Sequence, residues 1–120
     1  MANEITLTAY FQYAVSGKTY VDQRFVALPI SQANFGMCND TATVVSTGEQ
    51  TLAVGAIGTA GYSLFVNLDP VNFVRIGTAT GQYTIKLSAG QIALLPLAVK
   101  TLYAIADTAS VKIAYWILEA

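Results

Sequence analysis

The residue types that carry most enzyme chemistry are scarce in this 120-residue chain, and their spacing suits none of it. There is no histidine, which removes the commonest general base, the commonest metal ligand and both usual catalytic triads. Cys38 is the single cysteine. It has no imidazole to activate it and no partner for a disulfide, so a small residue beneath a loop is expected rather than a nucleophile. The seven carboxylates, Glu4, Asp22, Asp40, Glu49, Asp69, Asp107 and Glu119, are dispersed. No two stand at glycosidase or calcium-loop spacing. The expectation is a protein that is not an enzyme and has no metal, no cofactor and no catalytic residue.

Glycine motifs point the same way. Ser16-Gly17-Lys18-Thr19 has the end of a phosphate-binding loop, but the position five before Gly17 is Gln12, and the flanks read as strands rather than a helix start. A hairpin turn fits better. Gly55, Gly58 and Gly61 lack dinucleotide-loop spacing. Asn39-Asp40-Thr41 matches a glycosylation sequon, which means little without a secretory leader, and MANEITLTAY shows none. The run KLSAGQIALLPL, residues 86–97, resembles the Gly-to-Pro rhythm of cupins, which are jelly rolls. That resemblance implies shared architecture, while the histidines that hold a cupin metal are missing.

Composition bounds the remaining classes. The length suits one domain over residues 1–120, with nothing resembling a linker. Charged residues make up 11% against a usual share of about 25%, and 54% are hydrophobic, so part of the apolar surface is expected to meet another chain. A net charge of −1, with scattered lysines and arginines, offers no stripe for nucleic acid. No apolar run approaches the roughly 18 residues of a membrane span.

The elements that must position these residues read as strands. Residues 5–15 alternate into a turn at Ser16-Gly17-Lys18, and a second strand covers about 20–28. A long loop is expected over 29–40, a short strand over 41–46 and a weak strand at Leu52, Val54 and Ala56. The clearest unit is GYSLFVNLDPVNFVRIG, residues 61–77, read as a hairpin. An Asp-Pro turn with Asn72 would pair Leu68 with Val74, Val66 with Ile76 and Asn67 with Arg75. Val66, Leu68, Val74 and Ile76 would be core, while Phe65, Phe73 and Arg75 would face away from it. Further strands follow around Tyr83, Ile85 and Leu87, at 91–97, 102–106 and 111–118. Nine or ten short strands with frequent turns and no helical period predict an all-β, antiparallel two-sheet sandwich in jelly-roll order. In the last strand, Val111, Ile113, Tyr115 and Ile117 suit the core; Ala114, Trp116 and Leu118 make the opposite face apolar, as an interface would be. The remaining aromatics are in phase with core packing.

From Gly61 onward the chain resembles small structural proteins of tailed bacteriophages. The resemblance rests on GYSLFVNLDPVNFVRIG, then YTIKLSAGQIALLPL, then TLYAIADTASVKIAYWILEA, about half the chain. It implies a virion component assembled in the host cytoplasm. Within that class a capsid decoration, or cement, protein is favoured, seated on the major capsid protein or other virion proteins as a homotrimer, with no nucleic acid and no membrane as partner. The expected contacts are Ala114, Trp116 and Leu118, with Phe65, Phe73 and Arg75 as a second patch. A tail, baseplate or head-fibre protein with a glycan-binding role would share this composition.

Overall fold

Short β-branched and aromatic segments, punctuated by Gly, Ser, Asn and Asp, favour strands over helices at every point along the chain. The computed structural model describes residues 4–24, 26–34 and 36–120, and among these it contains strands and no helix. The chain divides into two compact units, Met1–Ala33 and Asn34–Ala120.

In the first unit, β1 (Ile5–Leu7) pairs antiparallel with β4 (Leu28–Ile30). Between them, β2 (Phe11–Val15) and β3 (Lys18–Asp22) form a separate hairpin, with Val15 opposite Lys18. Ser16 and Gly17 make its two-residue turn, both with positive φ (49° and 76°). That is the type I′ geometry, whose twist matches the flanking strands. The turn expected at Ser16-Gly17-Lys18 is therefore present, but the long strand expected over 5–15 breaks at residues 8–10. The strand expected over 20–28 ends at Asp22, and residue 25 lies outside the described residues.

The second unit holds eight strands: β5 (Met37–Val45), β6 (Gln50–Thr51), β7 (Ala60–Asn67), β8 (Val74–Gly77), β9 (Ile85–Leu87), β10 (Ile92–Val99), β11 (Tyr103–Ala106) and β12 (Val111–Glu119). They form two antiparallel sheets in the orders β10-β7-β12-β5 and β6-β11-β8-β9. The pairs β8/β9, β7/β10, β6/β11 and β5/β12 are nested. One long ribbon is thus bent back at residues 78–84 and wound so that its strands alternate between sheets, which is jelly-roll order. The expected sandwich is built by residues 37–119.

This winding overturns the expected hairpin at 61–77. β7 pairs with β10 and β12, and β8 with β11 and β9, so β7 and β8 lie in different sheets. The Asp-Pro turn does form: the Asp69 carboxylate accepts hydrogen bonds from the Val71 and Asn72 amides. It is a crossover between sheets instead of a hairpin loop. The faces of β7 are consequently reversed from expectation. Phe65, expected outward, is fully buried at 0% exposure, whereas Val66 is only half-buried and Leu68 is exposed. Val74 and Ile76 are core, as expected. Periodicity selected the wrong face because the buried side of β7 carries Ser63 and Asn67 while the outer side carries Tyr62, Leu64 and Val66.

Smaller differences follow from the same packing. The loop expected over 29–40 shortens to 31–36, with residue 35 outside the described residues, because β5 begins at Met37. Leu52 is buried beside β6 without extending a strand over Val54 and Ala56.

The core lies between the sheets. Phe65, Val45, Val111, Ile113, Tyr115 and Ile117 come from one side, and Val74, Ile76, Leu87, Ala104 and Ala106 from the other. The Phe65 and Tyr115 rings meet with centroids 6.2 Å apart and planes 39° apart. Two polar residues of β7 share this interior and are satisfied there. The Ser63 hydroxyl donates to the Gly61 carbonyl at 3.0 Å. The Asn67 amide donates to the carbonyls of Asn72 (2.9 Å) and Leu87 (3.0 Å), and its oxygen accepts from the Asp69 amide (2.8 Å).

Candidate assembly surface

The inward phase of β12 settles its outward one. With Val111, Ile113, Tyr115 and Ile117 buried, Lys112, Ala114, Trp116 and Leu118 take the outer side of the sheet. Ladder register extends this row sideways. Trp116 lies opposite Leu64 on β7, which lies opposite Leu94 on β10. One row away, Ala114 meets Val66 and then Ile92; on the other side, Leu118 lies opposite Met37 of β5. Trp116 is 44% exposed, and Ile92, Leu94 and Met37 are exposed as well. Lys112 is the one charged side chain that strand phase places on this face among the described residues. Ala114, Trp116 and Leu118 therefore belong to an apolar face that spans β12, β7 and β10 and reaches β5 at Met37, with the polar Asn39 of β5 opposite Trp116.

The two edges of this sheet differ. β10 carries Pro96, which has no amide proton to offer a neighbouring strand. β5 has an extra residue between its pairings with Ile113 and Tyr115, and the Asp40 carboxylate accepts from the Ala42 amide (3.1 Å) across that bulge. Both are devices that blunt an edge, which leaves the flat outer face as the side suited to partners.

The second expected patch does not exist as a unit. Phe65 is in the core of the first sheet, whereas Phe73 and Arg75 belong to the chain entering and forming β8 of the second. Around the latter pair the structure gathers residues that sequence spacing did not connect. Lys86 Nζ sits 4.3 Å from the Phe73 ring centroid, and the Arg75 guanidinium lies 5.8 Å from Phe73 and 5.4 Å from Tyr83. Arg75 and Lys86 face each other across the β8/β9 ladder, so like charges are placed side by side. The aromatic rings offset that repulsion by attracting both cations. Cross-strand register is the signal that would have found Lys86, and it requires the sheet order first.

At the ribbon's bend, the Glu49 carboxylate accepts from the Gly81 amide (2.7 Å) and from the Tyr83 hydroxyl. The Tyr83 bond, then the Gly81 bond, hold the Glu49 carboxyl below the usual range, and the same carboxylate pushes the Tyr83 phenol up. Cys38 is partly buried against the core, its thiol 3.6 Å from the Ala53 carbonyl; burial and then the Asp40 charge push it up, away from thiolate. That is the opposite of activation.

No group of three or more potential metal ligands occurs among the described residues, and no helix long and apolar enough to cross a membrane is present there. The arrangement can associate through apolar contact. Comparison with protein-family models, with curated proteins and with solved structures finds no match for the chain.

Proposed function

We propose that this protein is a structural component of a bacteriophage virion, a capsid decoration protein that associates with its own copies and with the shell. The observation that carries the reading is the apolar outer face of the β10-β7-β12-β5 sheet, centred on Trp116 and almost free of charge. It is supported by the resemblance of residues 61–120 to small phage structural proteins and by a chain with few charged residues. Magnitude narrows the mode of binding. Four strands about 4.8 Å apart and about six residues long give roughly 300 to 400 Å² of face. A stable pairwise interface buries roughly 800 Å² per partner. One such face gives a weak contact, and a repeated lattice turns weak contacts into firm attachment. Within this reading a trimer around the Trp116 face is the favoured state, as the resemblance to phage structural proteins implies.

Two measurements test this. Trp116→Ala should lower self-association in sedimentation while leaving far-UV circular dichroism unchanged, because the side chain is exposed in the single copy. Mass spectrometry of purified virions should detect the chain in the particle; its absence there would remove the virion reading.

A further inference from the structure

The β2/β3 hairpin presents a problem that its own unit does not solve. All ten of its strand residues are exposed, and it pairs with no further strand among the described residues. A two-stranded hairpin alone is marginally stable in water at best. Directly opposed residues share a face, so Phe11/Asp22, Tyr13/Tyr20 and Val15/Lys18 lie on one side, and Gln12/Val21 and Ala14/Thr19 on the other. The first side is the larger and more apolar. Phe11 is 69% exposed, Tyr13 55% and Tyr20 56%, and the two tyrosine rings stack at 6.3 Å.

Charge on that side is arranged by position. Lys18 stands at the turn end and Asp22 at the base, with the tyrosine pair between them. A two-fold axis through the tyrosine pair would lay one hairpin on another with the strands reversed, so Lys18 of each copy would reach Asp22 of the other. Both ends would then be complementary and the centre aromatic, which is the self-matching pattern an isologous contact requires. Asp22 already accepts from Arg24, with Nη2 at 2.7 Å, Nε at 3.3 Å and the backbone amide at 3.1 Å. A carboxylate has about four acceptor sites, so one is left for a lysine from outside.

We propose that the β2/β3 hairpin is a two-fold clasp between two copies of this chain, closed by the Phe11, Tyr13 and Tyr20 side and registered by reciprocal Lys18–Asp22 contacts. It is a contact separate from the Trp116 face and holds whether or not the protein belongs to a virion. Where both contacts operate, one links copies around the sheet face and the other joins the resulting clusters.

The test uses the full-length chain with Trp116→Ala, so that hairpin association is read without the sheet contact. Sedimentation equilibrium should show a dimer. Lys18→Asp and Asp22→Lys, each made alone, place like charges at both ends of the clasp and should weaken dimerisation about 10-fold or more. Mixing the two variants sets a copy that is acidic at both positions against one that is basic at both, and should restore association as a heterodimer. Tyr13→Ser should abolish it, with circular dichroism confirming that the sandwich is intact. A monomer across the micromolar range, an unaffected Tyr13→Ser, or a mixture no tighter than its components would each overturn the proposal. Failure of the Trp116 reading would show differently, as unchanged assembly when Trp116→Ala is introduced into the native chain.

Discussion

Removing the Asn67 side chain discriminates most sharply between the two ways residues 61–77 could be folded. In a local hairpin, Asn67 would face Arg75 at the surface, and Asn67→Ala would cost within about 0.5 kcal/mol, as surface substitutions usually do. In the jelly roll the side chain is 1% exposed and joins three stretches of backbone. It satisfies the Leu87 carbonyl on β9, the Asn72 carbonyl and the Asp69 amide at the crossover. Truncation strands the buried Leu87 carbonyl, at about 1 to 3 kcal/mol, and breaks two partly buried bonds worth about 0.5 to 1.5 kcal/mol each. The sum is about 4 kcal/mol. For a chain of this size that lowers Tm by about 16 °C. Trp116, which lies in the same sheet system, is the chain's single tryptophan, so its fluorescence during urea unfolding reports the unit in question. A second arm adds Arg75→Ala. Arg75 lies in the other sheet, so the two losses should add to within about 0.5 kcal/mol. An unchanged urea midpoint for Asn67→Ala, or strong coupling to Arg75, would refute the crossover and reinstate the hairpin.

Two further outcomes are expected from the bend of the ribbon. Gly77→Ala would drive a Cβ into the Gln82 backbone carbonyl, with Tyr83 Cα at 3.0 Å; backbone cannot move aside as a side-chain tip does, so a loss of about 1 to 3 kcal/mol should appear in thermal unfolding. A midpoint equal to the parent's would show that the β8 terminus and the bend are not packed as described. The Glu49–Tyr83 contact makes a pH prediction of definite sign. Glu49 is depressed in the folded state, so its contribution is present above the ordinary carboxylate range and is lost as pH falls through the folded value. Tyr83 is raised, so its contribution is present below the ordinary phenol value and is lost as pH rises through the folded one. In Glu49→Gln, NMR titration should find the Tyr83 phenol ionising at lower pH than in the parent; an unmoved titration would refute the bond.

The all-β class and the two-sheet sandwich were legible in the chain, and so were individual turns; jelly-roll order was expected too, but the hairpin expected at 61–77 is a pairing that this order does not contain. Ser16-Gly17 adopts the left-handed pair that its composition suggests, and Asp69-Pro70 caps itself with its own carboxylate. These are local properties, decided by which residues tolerate positive φ or can bond their own backbone. The inward face of β12 was also legible, because Lys112 breaks the symmetry between its two sides. On β7 the markers point the wrong way. Its outer residues Tyr62, Leu64 and Val66 are more apolar than its buried side, which includes Ser63 and Asn67, residues that periodicity assigns to water.

What tertiary structure alone decided is where the ribbon bends. Sequence placed the reversal at the strongest turn signal, residues 69–72, but a turn signal specifies a change of direction and not the partner of the strand that follows. Pairing is long-range: β7 finds β10 and β12, strands far along the chain from it. Burying Phe65 and Tyr115 together between two sheets selects that arrangement over the nearer one. The same selection brought Lys86 to Phe73 and Tyr83 to Arg75, and spread the Trp116 face over β12, β7 and β10. The types of residue available for a surface are properties of the chain; which of them become neighbours depends on how the ribbon is wound.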